Sequence, residues 1–150
     1  MKIEDVIKAT NEIALEKKTI LNIMYTQNVL ADNFNDILKP YELSPEQFNV
    51  LRILRGQKGK PANMHLIQER MISRTSNTTR LVDKLLAKGL VMRKVCSENR
   101  RKMDITITEK GLDLLNELDP KVEGQETEYS KNLSGNELEQ LNSLLEKYRG

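Results

Sequence analysis

The spacing of apolar residues changes at Gly89 from helical to extended, and that change restricts the possible folds more than any other feature of the chain. Before it, Thr78, Leu81, Val82, Leu85 and Leu86 recur at intervals that place them on one face of a helix, and the opposite face is wholly polar. After it, Val91 and Val95, then Met103, Ile105 and Ile107, fall on alternating positions, with the polar run Ser97-Glu98-Asn99-Arg100-Arg101 between them. That is the pattern of a β-hairpin with a basic tip. Gly89 is placed to take the left-handed conformation that ends a helix.

Upstream, Ser44-Pro45-Glu46-Gln47 supplies an N-cap, a proline at the first helical position and a capping-box glutamine ahead of Phe48, Val50, Leu51, Ile53 and Leu54, which predicts a helix over about 45–55. The breaker-rich run Gly56-Gln57-Lys58-Gly59-Lys60-Pro61 reads as a loop. Asn63 can cap a short helix bearing Leu66, Ile67 and Met71, and Ser73 can cap the next, over 73–88. Helix, short turn, helix and hairpin is the order of a winged helix-turn-helix. Towards the N-terminus, Ile3, Val6, Ile7, Thr10, Ile13 and Ala14 and then Ile20, Ile23, Met24, Leu30, Ala31, Phe34 and Leu38 keep helical spacing, so residues 3–39 read as one long helix or two consecutive ones, ended by Pro40. Thr108 can cap a helix through Leu112, Leu115 and Leu118, which Pro120 must kink or interrupt if it continues towards Tyr129. A last helix has a capping box, Ser134 with Glu137, and an apolar stripe of Leu138, Leu141, Leu144, Leu145 and Tyr148. The fold class is therefore mainly α with a small β-hairpin wing.

The overall charge of +2 conceals a strong asymmetry. Residues 58–110 carry 13 Lys/Arg against 5 Asp/Glu, a net +8, whereas residues 1–57 carry 7 against 8 and residues 111–150 carry 4 against 9. The cationic part coincides with the helix-turn-helix and hairpin, which points to a polyanion partner. Composition argues against other classes. One Cys (Cys96) and one His (His65) are too few for an internal disulfide or a usual zinc site, so no metal or cofactor is expected. The residues around Gly56 lack the spacing of a phosphate loop, and no nucleophile, base and orienter can be assembled, so no enzyme is expected. No run approaches the ~18 apolar residues of a membrane span, and the charged start Met1-Lys2-Ile3-Glu4-Asp5 does not open a secretory signal, which makes the cytoplasm the expected compartment.

In a helix-turn-helix the second helix enters the major groove, and its outward positions here are Arg74, Ser76, Asn77, Thr79, Arg80, Asp83, Lys84 and Lys88. Ser76 and Asn77 are the candidates for base edges; Arg74, Thr79, Arg80 and Lys84 are candidates for edges or phosphates. Arg100, Arg101 and Lys102 form a run of cations at the hairpin tip, suited to a narrow minor groove or to phosphates.

The segments Arg80-Leu81-Val82-Asp83-Lys84-Leu85, Lys88-Gly89-Leu90-Val91, Asn99-Arg100-Arg101 and Ile107-Thr108-Glu109-Lys110-Gly111 together resemble the MarR (multiple antibiotic resistance regulator) family of transcription factors. They look like that family's recognition helix, helix-to-wing junction, wing and wing-to-helix junction. The family's wing commonly reads Asp-x-Arg; the matching positions are Asn99 and Arg101, so the acid is missing here. The resemblance implies a homodimer built by the first and last helices, with a possible small-molecule effector bound between these and the DNA-binding lobe. The expected division is 1–43 and 111–150 for dimerisation and 44–110 for the winged helix-turn-helix. The expected function is sequence-specific binding of double-stranded DNA as a transcriptional regulator, a repressor released by a small molecule or another signal; the alternative is a winged helix serving as a protein-interaction or dimerisation module.

Overall fold

The computed structural model describes residues 1–74 and 77–150. In chain order it contains α1 (Ile3–Val6), α2 (Leu15–Leu38), a 3₁₀ turn (Lys39–Tyr41), α3 (Pro45–Gly56), α4 (Met64–Arg70), α5 (Thr78–Ala87), β1 (Val91–Val95), β2 (Met103–Ile107), α6 (Glu109–Ser130) and α7 (Gly135–Arg149). The mainly helical class with one hairpin is as the sequence predicts. The elements fall into two compact units, Met1–Pro45 and Glu46–Gly150.

In the first unit, residues 3–39 form two helices, the second of the two readings, but the first stops at Val6 and 7–14 are not helical. Apolar residues keep their spacing there, but Lys8 takes a left-handed φ of 52° and the Ala9 amide donates back to the Glu4 carbonyl at 2.9 Å, closing α1 after a single turn. Thr10 and Asn11 follow, residue types whose side chains compete with a helical backbone. α1 is tied to α2 by the Glu4–Lys18 ion pair, and the hydrogen bond from Lys18 lowers the Glu4 pKa below its ordinary value. At the other end α2 stops at Leu38; Pro40 sits in the 3₁₀ turn, and Glu42 reverses the chain in the left-handed region at φ 53°.

The second unit has a core that is aliphatic apart from Phe48. Phe48, Val50, Leu51 and Leu54 of α3, Ile67 of α4, Val82 and Leu85 of α5, Ile105 of β2 and Leu115 and Leu118 of α6 are all buried. β1 and β2 pair antiparallel with Val91 opposite Ile107 and Val95 opposite Met103. Ala62 adds a rung that the sequence pattern does not reveal: its amide donates to the Ile105 carbonyl at 2.9 Å and its carbonyl accepts from the Ile105 amide at 2.8 Å, bridging to the free side of β2.

α6 departs from expectation at Pro120, which lies inside an unbroken helix. Proline removes one backbone donor, but this residue is exposed, where water can replace the lost partner. Next to it, Asp119 receives a two-pronged contact from Arg55 of α3 at 2.8 and 3.1 Å, which holds α6 on the core. Gly111 allows the first turn of α6 to approach this closely: a Cβ there would come within 2.7 Å of Ile107 Cγ1 and nearer still to the Leu90 carbonyl oxygen.

Candidate nucleic-acid interface

α4 begins at Asn63, whose Oδ1 accepts from the Leu66 amide at 2.9 Å, as its sequence position suggests. Two further bonds fix the α4–α5 turn. The Ile72 amide donates to Asn49 Oδ1 of α3 at 3.0 Å, and the buried Thr78 hydroxyl donates to Gln68 Oε1 of α4. With Thr78 tied down, α5 starts later than expected. Its N-cap is Asn77, not Ser73: Asn77 Oδ1 accepts from the Arg80 amide at 3.1 Å. Capping leaves the Nδ2 donors of Asn77 for an external partner. Ser76, the other base-edge candidate, lies outside the described residues.

Along α5, Thr79, Arg80, Asp83 and Lys84 are exposed, while Val82 and Leu85 face the core. Lys88 corrects the outward assignment: it is half-buried, and its Nζ donates to Gln47 Oε1 of α3 at 3.2 Å. The helix ends in a Schellman turn, with the Leu90 amide on the Leu85 carbonyl and the Gly89 amide on that of Leu86, both at 3.0 Å, and Gly89 at φ 71°. The same corner is fastened to α6. The Thr108 hydroxyl donates to the Gly89 carbonyl at 2.7 Å, and Lys110 Nζ donates to the Lys88 carbonyl at 2.9 Å.

The hairpin reaches α5 through Arg93 Nη1, which lies 3.4 Å from Asp83 Oδ1, so α5 and β1 share an ion pair. At the tip, Asn99 Oδ1 accepts from the Arg101 amide and its carbonyl accepts from the Lys102 amide, each at 3.0 Å. An Asn at the place of the family's Asp thus still closes the turn through the backbone. Arg100, Arg101 and Lys102 are exposed, and the salt bridges among the described residues leave them, Arg74, Arg80 and Lys84 unengaged. Sequence reasoning passed over Arg70 in the last turn of α4 and Arg93 and Lys94 on β1, all exposed. They counted in the charge of the segment but belonged to no run or motif. Among the described residues there is no group of three or more His, Cys, Asp or Glu fit to hold a metal, and no helix long and apolar enough to cross a membrane.

A helix-turn-helix with a polar, cationic outer face, joined at once to a hairpin with three exposed cations at its tip, defines a winged-helix DNA-binding protein. The MarR family model matches residues 43–103. HTH-type transcriptional regulator MhqR of Bacillus subtilis (strain 168) is 31% identical over 118 residues, covering 79% of this chain and 80% of that protein. The chain therefore belongs to the MarR family. A MarR transcription factor from Planctomyces limnophilus is similar in structure, with TM-score 0.70 and 30% identity over 91% of this chain and 98% of the other. A MarR-like transcription regulator from Bacillus cereus ATCC 10987 shares the fold, with TM-score 0.79 and 24% identity over 89% and 95% of the two chains. Like the family, this chain is a homodimeric DNA-binding transcriptional regulator, which sets aside the reading as an interaction module.

Proposed function

We propose that the protein represses transcription from a pseudo-palindromic operator and leaves it when a small molecule binds. The observation that carries this reading is the exposed Arg74, Thr79, Arg80 and Lys84 beside α5, which no salt bridge among the described residues engages, with the Nδ2 donors of Asn77 and with Arg100, Arg101 and Lys102 on the wing. The α5 residues, with Ser76, read and grip the major groove; the wing cations meet the minor groove or its phosphates. Residues 44–110 form the DNA-binding lobe, and 1–43 and 111–150 join the subunits. Exposed apolar side chains on α2 (Ile20, Met24, Leu30) and α7 (Leu141, Leu144, Tyr148) support that division. Release by a small molecule is supported by two proteins of like fold: the organohalide-sensing regulator RdhR-CbdbA1625, solved with 2,4-dichlorophenol at 20% identity, and Bordetella bronchiseptica BpsR, whose DNA binding is regulated by 6-hydroxynicotinic acid, at 19%. The protein acts in the cytoplasm and catalyses no reaction.

Selection of bound duplexes from a random library tests this directly. The expected product is an inverted repeat with half-site centres about one helical turn, ~10 base pairs, apart. Fusing the recovered operator to a promoter should give lower reporter output with the protein than without it. A library that emerges without enrichment, or a reporter that rises, overturns the reading.

A further inference from the structure

The geometry points to Ile72 as a specificity-determining residue that packs on the 5-methyl group of a thymine in each half-site. Ile72 is 89% exposed, whereas Met71 beside it is 6% exposed. The other exposed large apolar residues of this unit lie on the wing, on α6 and α7 or between those two helices, none above 64%; Ile72 lies in the turn between α4 and α5, flanked by the exposed Arg70 and Arg74. Its amide is held by Asn49 Oδ1 at 3.0 Å, so the backbone is pinned to α3 and the side chain is presented outward. A β-branched side chain on a pinned backbone has few rotamers to lose on contact. The flanking arginines fit an anionic partner, and the turn travels with the N-terminal end of α5, the end that meets base edges. The thymine methyl is the apolar group that the major groove offers at those edges. Phosphates on either side suit Arg70 and Arg74.

This inference rests on the reading of α5 as the groove-binding helix. The test uses the full-length dimer and its selected operator, with each thymine replaced singly by deoxyuridine, which removes the methyl and keeps the hydrogen-bonding edge. For the parent, one substitution per half-site should weaken binding about fourfold, the worth of one buried methyl group. In Ile72→Ala that sensitivity should vanish while the penalties for changed bases elsewhere persist; Ile72→Val should keep part of it. Because the side chain is exposed, melting temperature and sedimentation of Ile72→Ala should match the parent. Identical deoxyuridine penalties in parent and Ile72→Ala overturn the assignment to Ile72 alone, as does an operator with no deoxyuridine-sensitive thymine. A dimer that dissociates in Ile72→Ala overturns it too, by placing the residue between subunits. A parent that selects no sequence overturns the α5 reading as well.

Discussion

Asn77 caps α5 through Oδ1 and is proposed to meet DNA through Nδ2, so substitution can separate the two roles. Serine keeps a capping oxygen and lacks the amide donors; Asn77→Ser should melt close to the parent yet relax discrimination at one operator position per half-site, a loss of ~1–3 kcal/mol. Asn77→Ala removes both. Its melting temperature should fall by about 2–4 °C, the effect of ~1 kcal/mol on a chain of this size, and calorimetry beside a selection profile checks the pair. A profile unchanged in both variants would exclude base reading by Asn77. At the wing, Asn99 already accepts the Arg101 amide, so Asn99→Asp should leave the tip as ordered as before, whereas Asn99→Ala should loosen it and weaken binding. Arg101→Ala should lower the slope of log affinity against log salt by ~1 per half-site if Arg101 neutralises a phosphate. If it enters a narrow minor groove instead, the loss should be greatest for A·T-rich flanks. Equal binding by Arg101→Ala and parent across salt concentrations would remove the wing from the interface.

Elements announced by local signals were legible: the periodic faces of α3, α5 and α7, the Asn63, Thr108 and Ser134 caps, and the alternation of the hairpin all stand where the sequence puts them. What escaped depends on partners distant in the chain. Ser73 and Asn77 are both competent caps; bonds from Ile72 to Asn49 and from Thr78 to Gln68 favour the later one. The single rung at Ala62 has no period to detect. Arg70, Arg93 and Lys94 lay in plain view as charges, but their position relative to α5 and the wing needed the fold. Two helices over 3–39 were one of the two readings; that the first ends at Val6 escaped, because apolar spacing continued to Ala14 through a segment whose backbone turns. At the junction of hairpin and α6, Gly111→Ala should destabilise the chain by about 1–3 kcal/mol or more, since its methyl meets the Leu90 backbone, which cannot yield as a flexible side-chain end would. A denaturation midpoint equal to the parent's would show that α6 can move aside.

For the whole molecule, the exposed Leu141, Leu144 and Tyr148 on α7 set the expectation that removing residues 134–150 abolishes the dimer. Sedimentation at ~10⁻⁵ M should show a dimer for the full chain and a monomer for the truncated one, with operator affinity lost in parallel because the two half-sites are no longer engaged together. A stable truncated dimer would move the interface elsewhere. The outer face of α5 carries a different consequence. Thr79, Arg80 and Lys84 support no part of the core, so mutation can redirect the protein to a new operator there without penalty to folding. Asn77 is the exception, because whatever replaces it inherits the duty of starting the helix. Evolution can vary three of these letters freely, but at the fourth it draws on the short alphabet of Ser, Thr, Asp, Asn and Gly, so descendants of this regulator should explore operator space unevenly.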